Sequence, residues 1–141
     1  MSKDFVPMTL EERHAQVESY LGSEVSIEID RPIGYVHHKG EKTLVYPINY
    51  GYIPNVLGGD GEELDVFLVG VDAPVNTYTG RIVGIAYRAD DVEDKLIMAP
   101  TDKGFSAEEM ARAVYFQEKY YKTTVRDLYG SKIDIDTLTV K

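Results

Sequence analysis

Residues 46–65 read Tyr-Pro-Ile-Asn-Tyr-Gly-Tyr-Ile-Pro-Asn-Val-Leu-Gly-Gly-Asp-Gly-Glu-Glu-Leu-Asp. In the first half, Pro47 and Pro54 each restrict their own backbone and that of the preceding residue. The second half places four acidic residues within six positions, 60–65, beside glycines that permit a tight turn. Carboxylates this close repel one another unless a positive charge neutralises them. The turn therefore predicts a divalent cation, since hard cations of this kind prefer oxygen ligands.

The composition is typical of one domain that spans residues 1–141. Of the 141 residues, 43% are hydrophobic, which is enough to build a core. The net charge of −9, from 24 acidic and 15 basic residues, argues against binding to nucleic acid or to an anionic membrane. The sequence has no cysteine, which excludes disulfides and thiolate metal sites. It has neither an apolar signal region nor a membrane-spanning stretch, so we expect a cytoplasmic protein.

Two helices are predicted from capping boxes, in which a hydroxyl residue precedes a glutamate by three positions. The motif at residues 9–12 predicts a helix that begins near Leu10 and stops at Gly22. The motif at residues 106–109 predicts a second helix that runs to about Tyr121.

Short strands separated by glycine and proline account for most of the remaining sequence. Apolar or alternating runs predict strands at residues 25–30, 33–36, 43–46, 64–71, 81–88 and 95–99, and weak alternation from Ile133 to Val140 predicts an edge strand. Strands of this length and spacing are typical of a small β-barrel or a strongly twisted sheet. The predicted fold is therefore α+β and mainly β.

A second acidic cluster, residues 90–94, lies between two apolar strands. Taken alone, a solvated turn explains it better than a binding site does. Because both clusters lie at strand ends, which can converge in a small barrel, we expect them to share one site. Cationic and phenolic side chains accompany them: Tyr50, Arg88, Lys95, Tyr121 and Lys122. Carboxylates for Mg²⁺, with Lys, Arg and Tyr for phosphate oxygens, are the groups that phosphoryl transfer to water requires.

Over roughly residues 26–122, the chain resembles the family I soluble inorganic pyrophosphatases. The resemblance depends on two linked motifs, residues 46–51 and 60–65, where the family has Tyr-Pro-x-Asn-Tyr-Gly and Asp-Gly-Asp-Pro-x-Asp. It implies an OB-like five-stranded barrel, closed or highly twisted, with an N-terminal and a C-terminal helix packed outside. It also implies Mg²⁺-dependent hydrolysis of pyrophosphate to two phosphates by a metal-activated water, with Mn²⁺ as an alternative cation, and assembly into homo-oligomers.

The resemblance also assigns roles to individual residues. The implied metal ligands are Asp60, Asp65, Asp90 and either Glu93 or Asp94, a choice that a length difference leaves open. Glu62 stands where the family has its general base, and catalytic roles are also implied for Tyr50 and Asp65. The expected substrate contacts are Glu28, Lys39, Tyr50, Arg88, Lys95, Tyr121 and Lys122.

At several positions the chain departs from the family pattern and lacks residues that would contact phosphate. A lysine and a glutamate of the pattern fall at Gly34 and Val36, and its arginine falls where this chain has His38 or Lys39. Glu62 is one methylene longer than the family's aspartate, and a small misplacement of a base is costly. Two alternatives therefore stay open: a hydrolase of another phosphoanhydride or of a nucleotide, and a non-catalytic metal- or phosphate-binding module of the same fold.

Overall fold

The protein is described by a computed structural model that covers residues 6–138. Its elements are α1 (Leu10–Glu18), β1 (Glu24–Arg31), β2 (Val36–Lys39), β3 (Lys42–Val45), β4 (Asn49–Leu57), β5 (Glu63–Leu68), β6 (Thr77–Arg88), β7 (Lys95–Ala99), α2 (Ala107–Glu118), β8 (Thr123–Asp127) and β9 (Lys132–Asp134), followed by a 3₁₀ turn at Ile135–Thr137.

Five of the strands close into a barrel in the order β1–β4–β5–β7–β6, and β6 returns to pair with β1. Closure leaves no free barrel edge, which removes the unpaired backbone groups of an open sheet. The long strand β6 changes partners along its length: residues 77–81 pair with β1, and residues 84–88 pair with β8. β9 extends β8 outward, and β2 and β3 form a separate hairpin. The predicted five-stranded, OB-like barrel is therefore confirmed.

The alternation of side chains along β5 and β7 divides the core into two parts. Val66 and Leu96 belong to a cluster that draws residues from all five barrel strands and fills the interior. Phe67 and Ile97 belong to a second cluster, which lies between the barrel wall and α2. Residues two apart on a strand share a face, so the side chains of Asp65 and Lys95 point outward with this second cluster.

Helix α2 lies very close to the barrel because Gly84 carries no side chain. A Cβ at this position would lie 2.6 Å from the Sδ atom of Met110. Both predicted capping boxes are present, at Thr9 and Ser106. The helices end at Glu18 and Glu118, earlier than the predicted ends at Gly22 and Tyr121, because residues 19–22 and 119–121 form turns.

Strand β4 runs through the tyrosine- and proline-rich motif and was not expected from the sequence. Pro54 lies in an irregular part of this strand, where the pairing register shifts and Asn55 adopts a φ of 65°. Gly51 allows the strand to approach β1, since a Cβ there would overlap the carbonyl oxygen of Glu28. The motif therefore has a structural role in the barrel, in addition to any role in a binding site.

Two further strand predictions need correction. The predicted strand at 33–36 is mostly a turn, in which Gly34 has a φ of 90°, and the hairpin begins at Val36. β8 was not predicted at all. The edge strand expected from Ile133 to Val140 is present only at its beginning, as β9, because Ile135–Thr137 forms the 3₁₀ turn; Val140 lies outside the described residues. Among residues 6–138, no helix combines the length and apolar character needed to cross a bilayer.

Candidate active site

A cavity of about 320 Å³ opens where the barrel wall, the β2–β3 hairpin and the end of α2 meet. It brings together seven of the residues singled out from the sequence: Lys39, Tyr50, Asp65, Arg88, Glu93, Lys95 and Tyr121. They come from strands and loops that are far apart in sequence. Their convergence supports the expectation that the two acidic clusters contribute to one site.

Lys95 is the centre of this cluster. Its Nζ donates hydrogen bonds to the Oη of Tyr50 at 2.6 Å, to Oδ2 of Asp65 at 2.7 Å and to Oε1 of Glu93 at 2.8 Å. Burial alone would lower the pKa of Lys95, but these neighbouring oxygens outweigh burial, so the pKa is raised. The ammonium therefore stays charged and holds the two carboxylates together.

Tyr50 acts as a fixed donor within the cluster. Burial raises the pKa of its phenol, which keeps the hydroxyl protonated at neutral pH. The Oη donates to Oδ2 of Asp65 at 2.7 Å while it accepts from Lys95. Oδ1 of Asp65 makes no hydrogen bond with any of the described residues 6–138. One oxygen of Asp65 is thus anchored, and the other is available to a ligand.

Arg88 is committed to protein carboxylates. Its Nε and Nη2 donate to the two oxygens of Glu118 at 2.9 and 2.6 Å, and its Nη1 donates to Asp91 at 2.9 Å. The guanidinium also lies 3.7 Å from the centre of the Tyr121 ring. Although Arg88 lines the cavity, this arrangement argues against the substrate-binding role expected for it. Its main contribution is to the structure of the cavity wall.

The carboxylates of Glu93 and Asp94 lie in different surroundings, which bears on the choice between them. Glu93 lines the cavity. Asp94 is buried behind the cavity, where Oδ1 lies 3.4 Å from Nε of Arg13 and Oδ2 lies 3.4 Å from Nε2 of His14. The same arginine also donates to the backbone oxygens of Arg88 and Asp91. Asp94 therefore fastens α1 to the acidic loop, and its placement argues against metal ligation.

Several other predicted site residues lie outside the cavity. Glu28 and Glu62 are exposed, and the carboxylate of Asp60 accepts from the backbone of Glu62 at 3.0 Å. Asp90 accepts from the backbone nitrogen of Lys122 at 2.9 Å and joins the acidic loop to the start of β8. Lys122 lines a different depression of the surface. None of these carboxylates, nor Lys122, lines the cavity.

Asp60 is nevertheless close enough to the cavity to act on Glu93. Burial raises the pKa of Glu93, Lys95 opposes this effect, and the nearby carboxylate of Asp60 raises the pKa again. Within residues 6–138, no three carboxylate or imidazole groups are arranged as a ready-made metal site. The donor set of Asp60, Asp65 and Glu93 nevertheless suits Mg²⁺, which keeps several waters and needs few protein ligands when a phosphate supplies others.

Arg31 also lines the cavity, and sequence reasoning did not find it. The Arg-Pro pair at 31–32 was interpreted only as the end of a strand. A shift in the pairing register between Ile29 and Arg31 changes the direction of the side chain. No pattern in a single sequence predicts this bulge. An arginine at the end of a strand that carries a predicted site residue would nevertheless have been a reasonable candidate.

Comparison with known proteins agrees with this geometry. The family model described as inorganic pyrophosphatase matches residues 15–126, which is most of the chain. The chain belongs to the inorganic pyrophosphatase family. The matched range includes both acidic clusters, Lys95 and the whole barrel.

Curated relatives are similar to part of this pyrophosphatase-family chain. It is 35% identical over 88 residues to inorganic pyrophosphatase 2 of Pseudomonas syringae pv. tomato, across 57% of this chain and 48% of that protein. It is 42% identical over 64 residues to the inorganic pyrophosphatase of Pseudomonas aeruginosa, across 43% of this chain and 37% of that protein. The chain spans about half the length of the curated relatives it matches.

Solved structures share the fold at low sequence identity. The inorganic pyrophosphatase of Ehrlichia chaffeensis matches with a TM-score of 0.52 and 22% identity, covering 83% of this chain and 89% of that chain. The structure from Coxiella burnetii matches with a TM-score of 0.54 and 18% identity, covering 82% and 89%. These matches agree with the five-stranded barrel of this pyrophosphatase-family chain.

Proposed function

We propose that this chain is an enzyme that hydrolyses inorganic pyrophosphate to two phosphates with Mg²⁺ as its cofactor. The observation that carries the proposal is the cluster around Lys95, in which carboxylates and cations face one small cavity. The cavity volume of about 320 Å³ lies at the low end of small-molecule sites, which favours a small anion over a nucleotide.

The carboxylates of Asp60, Asp65 and Glu93 are the groups that would hold Mg²⁺, together with phosphate oxygens of the substrate. A bound Mg²⁺ would lower the pKa of a coordinated water and neutralise phosphate charge. Lys95 would orient Asp65 and Glu93 and keep their charges compensated before substrate arrives. Oδ1 of Asp65 would bind the cation or accept a proton, while Tyr50 holds Oδ2.

Phosphate release from pyrophosphate by the purified protein tests this proposal. With Mg²⁺ or Mn²⁺ present, we expect hydrolysis by the wild type and a loss of about 100-fold or more in Asp65→Asn, since this change removes a negative charge that would hold the cation. Asp102→Asn, which changes an exposed aspartate away from the cavity, is the matched control and should keep full activity.

The substrate panel should also include a nucleoside triphosphate and a phosphate monoester. Hydrolysis of these in preference to pyrophosphate would contradict the proposed substrate. If no substrate is hydrolysed with either cation, the non-catalytic binding module becomes the better explanation. If hydrolysis survives Asp65→Asn unchanged, the site has been assigned wrongly.

A matched pair of substitutions in the acidic loop separates function from stability. We expect Glu93→Gln to lower activity with little change in stability, because Glu93 faces the cavity. We expect Asp94→Asn to lower the free energy of unfolding by about 2 kcal/mol, because buried Arg13 loses its counter-charge. Urea unfolding and phosphate release, measured on both variants, check this expectation. The reverse pattern would make Asp94 the functional acid.

A further inference from the structure

The cationic side chains that line the cavity fall into two pairs. Arg88 and Lys95 form ion pairs with carboxylates of the protein. Arg31 and Lys39 line the same cavity, and neither makes an ion pair with any of the described residues 6–138. In a chain with a net charge of −9, two cavity-lining cations that form no ion pair within residues 6–138 need an explanation, although Asp30 lies near enough to Arg31 to affect its pKa.

Arg31 is held in place by tyrosines. Its Nη1 donates to the Oη of Tyr46 at 2.6 Å, and that hydroxyl donates to Oε1 of Gln117 on α2 at 2.7 Å. The centre of the guanidinium lies 5.6 Å from the ring centres of both Tyr46 and Tyr50. Within residues 6–138, Nε and Nη2 of Arg31 make no hydrogen bond. The guanidinium is thus fixed by one nitrogen and has two nitrogens left to donate.

Lys39 lines the same cavity from the end of strand β2. It is exposed, and its Nζ donates to the Oη of Tyr121 at 3.0 Å. His37, which also lines the cavity, is affected by the charges of both cations. The pKa of His37 is lowered, first by burial and then by the charges of Arg31 and Lys39. This side of the cavity therefore has a positive field, whereas the side formed by Asp65 and Glu93 has carboxylates.

We propose that Arg31 and Lys39 form an anion site that binds the phosphoryl group of the substrate farther from Asp65. This inference rests on the proposed function only for the identity of the anion. A planar guanidinium with two unused donors suits two oxygens of one phosphate, and the lysine adds a point charge. A diphosphate held this way is oriented along the cavity, with one phosphate at the hairpin side and the other at the carboxylates.

The alternative is that Arg31 only packs against tyrosine rings and that Lys39 is a solvated surface lysine. Packing accounts for the position of the guanidinium but leaves Nε and Nη2 without a hydrogen-bond partner among residues 6–138. The two explanations differ in what happens to anion binding when either charge is removed, because only a binding role couples both residues to the same ligand.

Inorganic phosphate, titrated by phosphorus NMR without any divalent cation, is the direct probe. We expect the wild type to bind phosphate, and Arg31→Ala and Lys39→Ala each to bind it about tenfold more weakly, the loss typical of one charge-assisted hydrogen bond. Two controls remove a similar charge elsewhere. Lys103→Ala changes an exposed lysine outside the cavity, and Arg112→Ala changes an exposed arginine of α2. Both controls should bind phosphate like the wild type.

Steady-state kinetics with pyrophosphate and Mg²⁺ provide a second measurement. Removing a contact made equally in the ground and transition states raises KM and leaves kcat unchanged. We expect this pattern, with KM raised about tenfold, in both Arg31→Ala and Lys39→Ala. Because Lys39 is exposed, its variant keeps the test valid even if Arg31→Ala fails to fold, which circular dichroism would reveal.

The outcomes separate this inference from the proposed function. Unchanged phosphate affinity in a folded Lys39→Ala or Arg31→Ala protein overturns the anion site, even if the wild type hydrolyses pyrophosphate. Equal losses in the two controls also overturn it, since they would reflect net charge alone. A wild type that binds no phosphate overturns it as well. A protein that binds phosphate through both residues but hydrolyses nothing supports the anion site and rejects the proposed enzyme.

Discussion

Replacing Arg88 by methionine is expected to lower the free energy of unfolding by about 3–5 kcal/mol, because it leaves a buried carboxylate without its counter-charge. The side chains of Arg88 and Glu118 are 2% and 0% exposed. Two parallel hydrogen bonds join them, and Thr123 donates a further hydrogen bond to Glu118 at 2.8 Å. Methionine fills much of the volume of the arginine stem but cannot satisfy these oxygens.

Urea unfolding followed by circular dichroism measures this loss. Arg112→Met is the matched control, since the ion pair of Arg112 with Glu108 is exposed and should contribute less than about 1 kcal/mol. The double variant Arg88→Met with Glu118→Leu removes both charges and should recover a large part of the lost stability. If Arg88→Met is as stable as the wild type and only binds pyrophosphate more weakly, Arg88 is a substrate ligand, as the sequence suggested.

Arg88 also illustrates a limit of reasoning from the sequence. The sequence shows Arg88 beside an acidic cluster, and the resemblance lacked a phosphate-binding arginine, so a substrate role was a natural hypothesis. Glu118 lies 30 residues further along the chain and is brought beneath Arg88 only when α2 packs on the barrel. A single sequence contains no local signal for a pair formed by tertiary packing.

Local rules predicted the regular parts of the fold well. Strand β7 was predicted with its observed bounds, and both capping boxes place the helix starts correctly. These features depend on residues within a few positions of one another. β4 was missed because the prolines and Gly51 of its motif are poor strand formers, and the close approach to β1 that requires Gly51 is a tertiary feature.

In the candidate site too, features that depend on neighbouring residues were predicted, and features that depend on tertiary packing were not. The linked motifs and the second acidic cluster led to Tyr50, Asp65 and Lys95, which the structure brings within hydrogen-bonding distance of one another. They did not lead to Arg31, whose direction depends on a bulge, or show that Asp94 faces Arg13 instead of the cavity. The side chains of neighbouring residues on an extended chain point to opposite sides. If the alignment of a loop is uncertain by one position, a residue that faces the cavity is therefore confused with one that is buried on the other side.

Replacing Lys95 by methionine is expected to lower kcat for pyrophosphate hydrolysis by about 100- to 1,000-fold while the protein stays folded. The ammonium is the only group that joins Tyr50, Asp65 and Glu93 among the described residues 6–138. Without it, the two carboxylates repel each other and separate, so the site loses its arrangement. Because Asp65 and Glu93 are 28% and 14% exposed, water can solvate their charges and limit the loss of stability.

The response to Mg²⁺ gives this variant a signature that a simple packing defect would not share. Lys95 repels a divalent cation from the carboxylates that it neutralises, so its removal should let Asp65 and Glu93 bind Mg²⁺ more tightly in the free protein. Mg²⁺ should then raise the melting temperature of Lys95→Met more than that of the wild type. Lys103→Met, at an exposed lysine outside the cavity, should change neither activity nor the Mg²⁺ response. Full activity in Lys95→Met would show that the cluster around this lysine is structural and that the proposed site is misplaced.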